Sequence, residues 1–149
     1  MKIFLMILGA IFILILLAIG GLLAYSVING TTLDHESKAW IDSVVPQIIS
    51  PWDSEKLMGY GSSEFLKTVS KKDIDSTFTQ LKKGLGPFVK YNGSIGEAGI
   101  SINNFRQHIT ARYTVTANFQ NGPVEVFVQG IKEDGQWKIY NIHVTLKRK

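Results

Sequence analysis

Three histidines, His35, His108 and His143, are the only side chains in this 149-residue chain whose ordinary pKa lies near neutrality, and their spacing matches no metal-ligand pattern. The sequence contains no cysteine. That removes disulfides, thiolate metal sites, a cysteine nucleophile and a lipid-modified cysteine from consideration. The carboxylates form no closer constellation. Glu125 alternates with Val124, Val126 and Val128, so in a strand it points away from the apolar side, and His143 between Ile142 and Val144 does the same. His108 shares the polar side of its strand, and His35 directly follows an apolar segment. On this pattern no residue is assigned to catalysis, to a cofactor or to a metal. A binding role is favoured over an enzymatic one.

The same alternation leaves apolar residues outside. Phe127 and Ile131 fall on the face that carries Glu125 and Gln129, and Arg112, Thr114 and His143 reach that face from neighbouring strands. Apolar side chains on an exposed sheet face mark contact surfaces more reliably than buried ones do. Arg112, Thr114, Phe127, Ile131 and His143 are therefore the candidate surface for a protein partner. Trp40, Trp52 and Trp137 lie within apolar patterns and are expected in the core, each removing enough area from water to contribute about 2 to 3 kcal/mol.

Those residues need a scaffold, and the scaffold begins with a tether. Between Lys2 and Asp34 the chain has no charged residue, and the run from Ile3 to Ile28 is long enough to cross a hydrocarbon layer of about 30 Å as a helix. Lys2 precedes the run while Asp34 and Glu36 follow it, so the positive-inside bias keeps the N-terminus cytoplasmic and exports the remainder. Residues 1–33 are thus expected to be a transmembrane anchor with a short linker, in a bacterial inner membrane with the domain in the periplasm. A cleavable signal peptide ending at Ala24-Tyr25-Ser26 is the competing expectation, but the apolar run exceeds a signal peptide's usual core. Gly20 and Ala24 are read as ordinary lipid-facing filler.

Residues 34–149 make one domain's worth of chain, with 15 basic and 12 acidic residues and a formal charge of +3. That mild excess argues against nucleic acid as a partner. Lys67, Lys71, Lys72, Lys82 and Lys83 read as a solvated helix face. Lys147, Arg148 and Lys149 read as a solubilising tail, with weak attraction to anionic lipid headgroups, about 1 kcal/mol per residue near the surface, as the functional alternative. The sequons at Asn29 and Asn92 contain Asn-Gly, which is read as a turn dipeptide.

The first half of the domain, 36–86, has helical periodicity. Ala39, Trp40, Ile41, Val44, Val45, Ile48 and Ile49 define a helix from about Glu36 to Ile49, with Pro46 kinking it or opening its last turn. Ser50-Pro51 predicts an N-cap and first turn of a second helix carrying Trp52 and Leu57, and Ser63 to Val69 adds a turn or two with Phe65, Leu66 and Val69 inward. Ser70-Lys71-Lys72-Asp73 resembles a capping box before Ile74, Phe78, Leu81 and Leu85, and Gly84, Gly86 and Pro87 supply the stop. The second half, 94–146, has period two. Its expected strands are Ser94 to Ile102, Gln107 to Phe119, Val124 to Lys132 and Trp137 to Leu146, with Asn121-Gly122-Pro123 and Asp134-Gly135 as turns. In the last strand Trp137 and Ile139 have one parity and Ile142, Val144 and Leu146 the other, which predicts a bulge near Tyr140 and Asn141.

About three helices followed by about four antiparallel strands is an α+β arrangement in which a curved sheet folds around helices. The helical half from Trp40 to Leu85, the Leu85-Gly86 exit and the closing hairpin Asp134-Gly135-Gln136-Trp137-Lys138-Ile139 running into Ile142 and Val144 resemble the cystatin-like or nuclear-transport-factor-2-like superfamily. With its single N-terminal membrane helix the chain is similar to VirB8-like components of bacterial secretion machines and to small envelope proteins. The resemblance implies a protein-interaction module in an envelope or secretion assembly. Soluble members of the superfamily often enclose a pocket between sheet and helices, so the resemblance also implies an alternative, a small-ligand-binding or catalytic domain with Tyr113 and Tyr140 as pocket residues.

Overall fold

A computed structural model of the chain describes the backbone of residues 2–147 and the side chains of residue 11, residues 13–22 and residues 30–147. The chain divides into two compact units, Met1–Leu33 and Asp34–Lys149. Helix α1 (Lys2–Ile49) begins in the first and ends in the second. Its range includes Asn29-Gly30, where a turn was expected, and residues 31–33, expected as a linker. A single glycine costs a helix about 1 kcal/mol relative to alanine, and the helix carries that cost here.

In the first unit Ile13, Leu14, Ile15, Leu16, Leu17, Ile19 and Leu22 are all exposed. Consecutive apolar residues leave this stretch of helix without a polar face. Among the described residues no helix is long and apolar enough to cross a membrane. The rest of the expected anchor, the side chains of 3–10, 12 and 23–28, lies outside the described residues.

The second unit takes the last four turns of α1, then α2 (Ser54–Tyr60), α3 (Ser63–Thr68) and α4 (Lys71–Leu85), followed by β1 (Phe88–Asn103), β2 (Arg106–Phe119), β3 (Gly122–Glu133) and β4 (Gln136–Leu146). The four strands form one antiparallel meander in the order β1-β2-β3-β4, so the fold is α+β. Ile41, Val44, Val45, Ile48 and Ile49 of α1 pack with Ala111, Tyr113, Val115, Ala117, Val124, Val126 and Val128 in the buried core. The period of 3.6 on one side and 2 on the other explains why these residues and not their neighbours are inside.

Several local expectations shift. Ser50-Pro51 does not open α2: Trp52 adopts a left-handed conformation (φ 52°), and Asp53 is the N-cap, accepting from the Lys56 N–H at 3.0 Å. The strain at Trp52 is offset by its ring, which sits 5.2 Å from Phe78 and 5.4 Å from Phe119 between centroids. Ser62 caps α3, which buries Phe65 but leaves Leu66 exposed. At α4 the expected capping box is absent, since the Ser70 side chain makes no cap bond. Pro46 does open the last turn of α1, where the Ser50 N–H reaches its carbonyl at 3.0 Å.

The strand β1 begins at Phe88, six residues before the expected start, because Asn92-Gly93 forms a bulge rather than a turn: Gly93 has φ 105° at a register shift between Tyr91 and Gly93. The Asp134-Gly135 hairpin has two positive φ values, 49° and 77°, as a type I′ turn requires. The bulge near Tyr140 is present. Gln129 pairs with Asn141 and Gly130 with Ile139, so Tyr140 is the extra residue, and the parity switch turns Ile142 and Val144 to the side of Trp137 and Ile139.

Candidate functional site

Register across the sheet brings the five candidate partner-surface residues onto one face. Thr114, Phe127 and His143 stand in a single cross-strand row with Ile95 of β1, Arg112 lies in the next row opposite Gln129, and Ile131 follows opposite Thr110. Arg112 and His143 are exposed, whereas Thr114, Phe127 and Ile131 are half-buried among their neighbours. The face is therefore mixed rather than a continuous apolar patch. Glu125 also points outward, where it pairs with Lys147 at 2.7 Å. Leu146, just before Lys147, pairs with Val124 and so belongs to the sheet end away from Asp34; Arg148 and Lys149 lie outside the described residues.

The two tyrosines expected to line a pocket are not brought together. Tyr113 is sealed in the core at 1% exposure, its hydroxyl 2.9 Å from the Ser37 hydroxyl and donating to the Asp34 carbonyl at 3.1 Å. Ser37, itself fully buried, is held in the same lock. Tyr140, on the bulge, is exposed. The tryptophans form no open cage either, since Trp52 and Trp137 are buried and Trp40 stacks on Trp137 at 6.2 Å.

A concavity does exist, at a different place. A cleft of about 370 Å³ opens between the helices and the edge of the sheet, walled by Phe65, Ile74, Phe78 and Leu81 on one side and by Ile142 and Val144 on the other. Asp73, Asn141 and His143 give it a polar rim. The sequence elements that build it are α3, α4 and the half of β4 beyond the bulge. Without the extra residue at Tyr140, Ile142 and Val144 would face away from it. Here β4 is an edge strand. Its edge is capped by Ser62, whose N–H reaches the Ile139 carbonyl at 2.8 Å, at the end nearest Trp137. Sequence reading identified Ile142, Val144, Phe78 and Leu81 only as core residues. The signal for a cleft was the parity switch itself, which turns apolar residues of the edge strand toward the side of Phe78 and Leu81.

One polar cluster is invisible in the sequence. Asp42 Oδ1 accepts from the Tyr91 and Ser94 hydroxyls, both at 2.6 Å, and Oδ2 accepts from Lys38 at 2.8 Å; the same ammonium donates to the Ser94 carbonyl at 2.8 Å. Burial alone would raise the Asp42 carboxyl, but the donors Lys38, Ser94 and Tyr91 outweigh it and hold the carboxyl below its usual range. Burial, with the carboxylate beside it, pushes the Tyr91 phenol above its ordinary value. A proton-transfer pair needs pKa values near the working pH, and these two are driven apart. The cluster is a clamp between α1 and β1. Among the described residues no group of three or more His, Asp or Glu side chains could hold a metal.

No family model matches the chain, and no curated protein matches it. Among solved structures it is similar to that of a DUF4783 family protein from Bacteroides ovatus, with a TM-score of 0.44 and 15% sequence identity over 72% of this chain and 96% of the other.

Proposed function

We propose that this chain is a single-pass, membrane-held binding module of the cystatin-like or nuclear-transport-factor-2-like kind, its domain displayed on the extracytoplasmic side, whose cleft beside β4 receives a segment of another protein in an envelope assembly. The observation that carries this reading is the apolar cleft lying against an edge strand. An extended segment can add backbone hydrogen bonds to such an edge while its side chains fill the adjoining hollow. The clamped, side-chain-filled centre of the sheet supports the same reading, because Tyr113 leaves no room for a substrate there. Membrane attachment draws its support from the apolar run Ile3 to Ile28, whose described part has no polar side. On this reading the outer row at Thr114, Phe127 and His143 borders the same partner, since His143 belongs to both the row and the rim.

A small apolar ligand is the second reading, favoured by the size of the cleft, which falls at the lower end of ordinary ligand pockets. One experiment separates the two. A photoreactive residue at Thr77, which also lines the cleft, or at His143 of the full chain in cells should form an adduct with one defined protein. The substitution Leu81→Asp, at a half-buried wall position, should abolish that adduct while moving the melting temperature by less than about 4 °C. A small molecule bound in native mass spectra, with no protein adduct from either position, replaces the first reading with the second.

A further inference from the structure

Beyond the pair Thr110 and Ile131, where pairing with β3 ends, strands β1 and β2 continue together to Asn103 and Arg106 as a two-stranded arm. The Ser94 hydroxyl bonds Asp42 and the Ala98 N–H bonds Asp34 Oδ1 at 2.6 Å, so β1 travels along the domain's part of α1 toward lower residue numbers. From Ala98 it carries the Asn104-Phe105 turn roughly 20 Å further, at about 3.3 Å per residue, on the side where the chain enters the domain. Every residue from Ile100 to Gln107 is exposed, including Ile102 at 78%, and Phe105 is completely so.

Two features of this tip are unexplained by the fold. Asn104 and Phe105 both have positive φ, 49° and 60°, in a two-residue hairpin turn whose second position favours glycine. An aromatic residue is strained there, and with its ring fully exposed no contact within the domain offsets the strain. The second feature is charge. From Ala98 to Thr110 the arm has no carboxylate, while it carries Arg106 and His108; Arg112, further back, stands opposite Glu97.

We propose that the tip of this arm, through Ile102, Phe105 and Arg106, rests in the headgroup layer of an anionic bilayer and gives the domain a second point of attachment. The proposal rests on the membrane tether described above. Ile28 and Asp34 are six positions apart, a reach of at most about 20 Å even for extended chain, so an anchored chain cannot carry Asp34 far from the bilayer, and the arm is of comparable length. An aromatic and a branched aliphatic side chain beside an arginine are the residue types that partition into that layer.

Because the chain lacks cysteine, single labels can be placed freely. The full chain carrying Asn104→Cys with an environment-sensitive fluorophore is reconstituted in nanodiscs of phosphatidylcholine and phosphatidylglycerol, one chain per disc, with Asn121→Cys and Leu16→Cys as references. Aqueous iodide should quench the label at 104 at least about fivefold less than that at 121, and Phe105→Asp with Ile102→Asp should remove the difference without lowering the melting temperature. Equal quenching at 104 and 121, with the label at 16 protected, overturns the arm's role and leaves the tether standing. Quenching at all three positions overturns the tether reading itself. Protection at 104 that appears only with two chains per disc assigns the arm to a second copy and overturns the lipid contact.

Discussion

Individual residues carry the domain's stability in ways that substitutions can read. Replacing Tyr113 by Phe removes the hydroxyl shared by Ser37 and Asp34, and should cost about 1 kcal/mol in denaturant unfolding, since the Ser37 hydroxyl keeps its bond to the Asp34 carbonyl at 3.2 Å. Gly96 is less forgiving: a Cβ there would fall 1.9 Å from the Arg112 carbonyl oxygen, so Gly96→Ala must displace backbone and should cost about 2 kcal/mol or more. The Asp42 clamp predicts a pH effect. Because its carboxyl is depressed in the folded state, it contributes stability above the ordinary carboxylate range, near pH 4, and that contribution is lost as the pH falls through the folded value. Thermal unfolding of Asp42→Asn should therefore show a lower plateau at neutral pH and a shallower acid limb than the parent chain.

At the scale of elements, the bulge at Tyr140 decides which way half a strand faces. Deleting Tyr140 should swing Ile142 and Val144 away from Phe78 and Leu81, open the cleft and cost about 2 to 4 kcal/mol, measured by chemical denaturation. This bulge was legible in the sequence because two apolar parities cannot share a face without an extra residue. The four strands, α4 and the core face of α1 were legible for the same reason, strong periodicity. What escaped detection depended on tertiary contact. The Trp52 turn is held by Phe78 and Phe119, which are distant in sequence, and the Asp42 clamp joins residues 49 and 52 positions apart. Tyr113 was expected from the resemblance as pocket lining, and is instead core. Its hydroxyl could be placed only once Ser37 and Asp34 were seen beside it.

The whole molecule combines a cysteine-free domain stabilised by its core with a front segment that no described polar face equips for water. On the function proposed above, the segment localises and the domain binds. The cleft at β4 and the arm at β1 lie on opposite edges of the sheet, so a partner and a bilayer need not compete for one surface. Membrane retention is the premise beneath both assignments. Its most direct test is the mass and location of the chain after lysis without detergent. The account predicts an uncleaved species of 16.6 kDa that stays with membranes through an alkaline wash. An intact chain of that mass in the aqueous supernatant would contradict it.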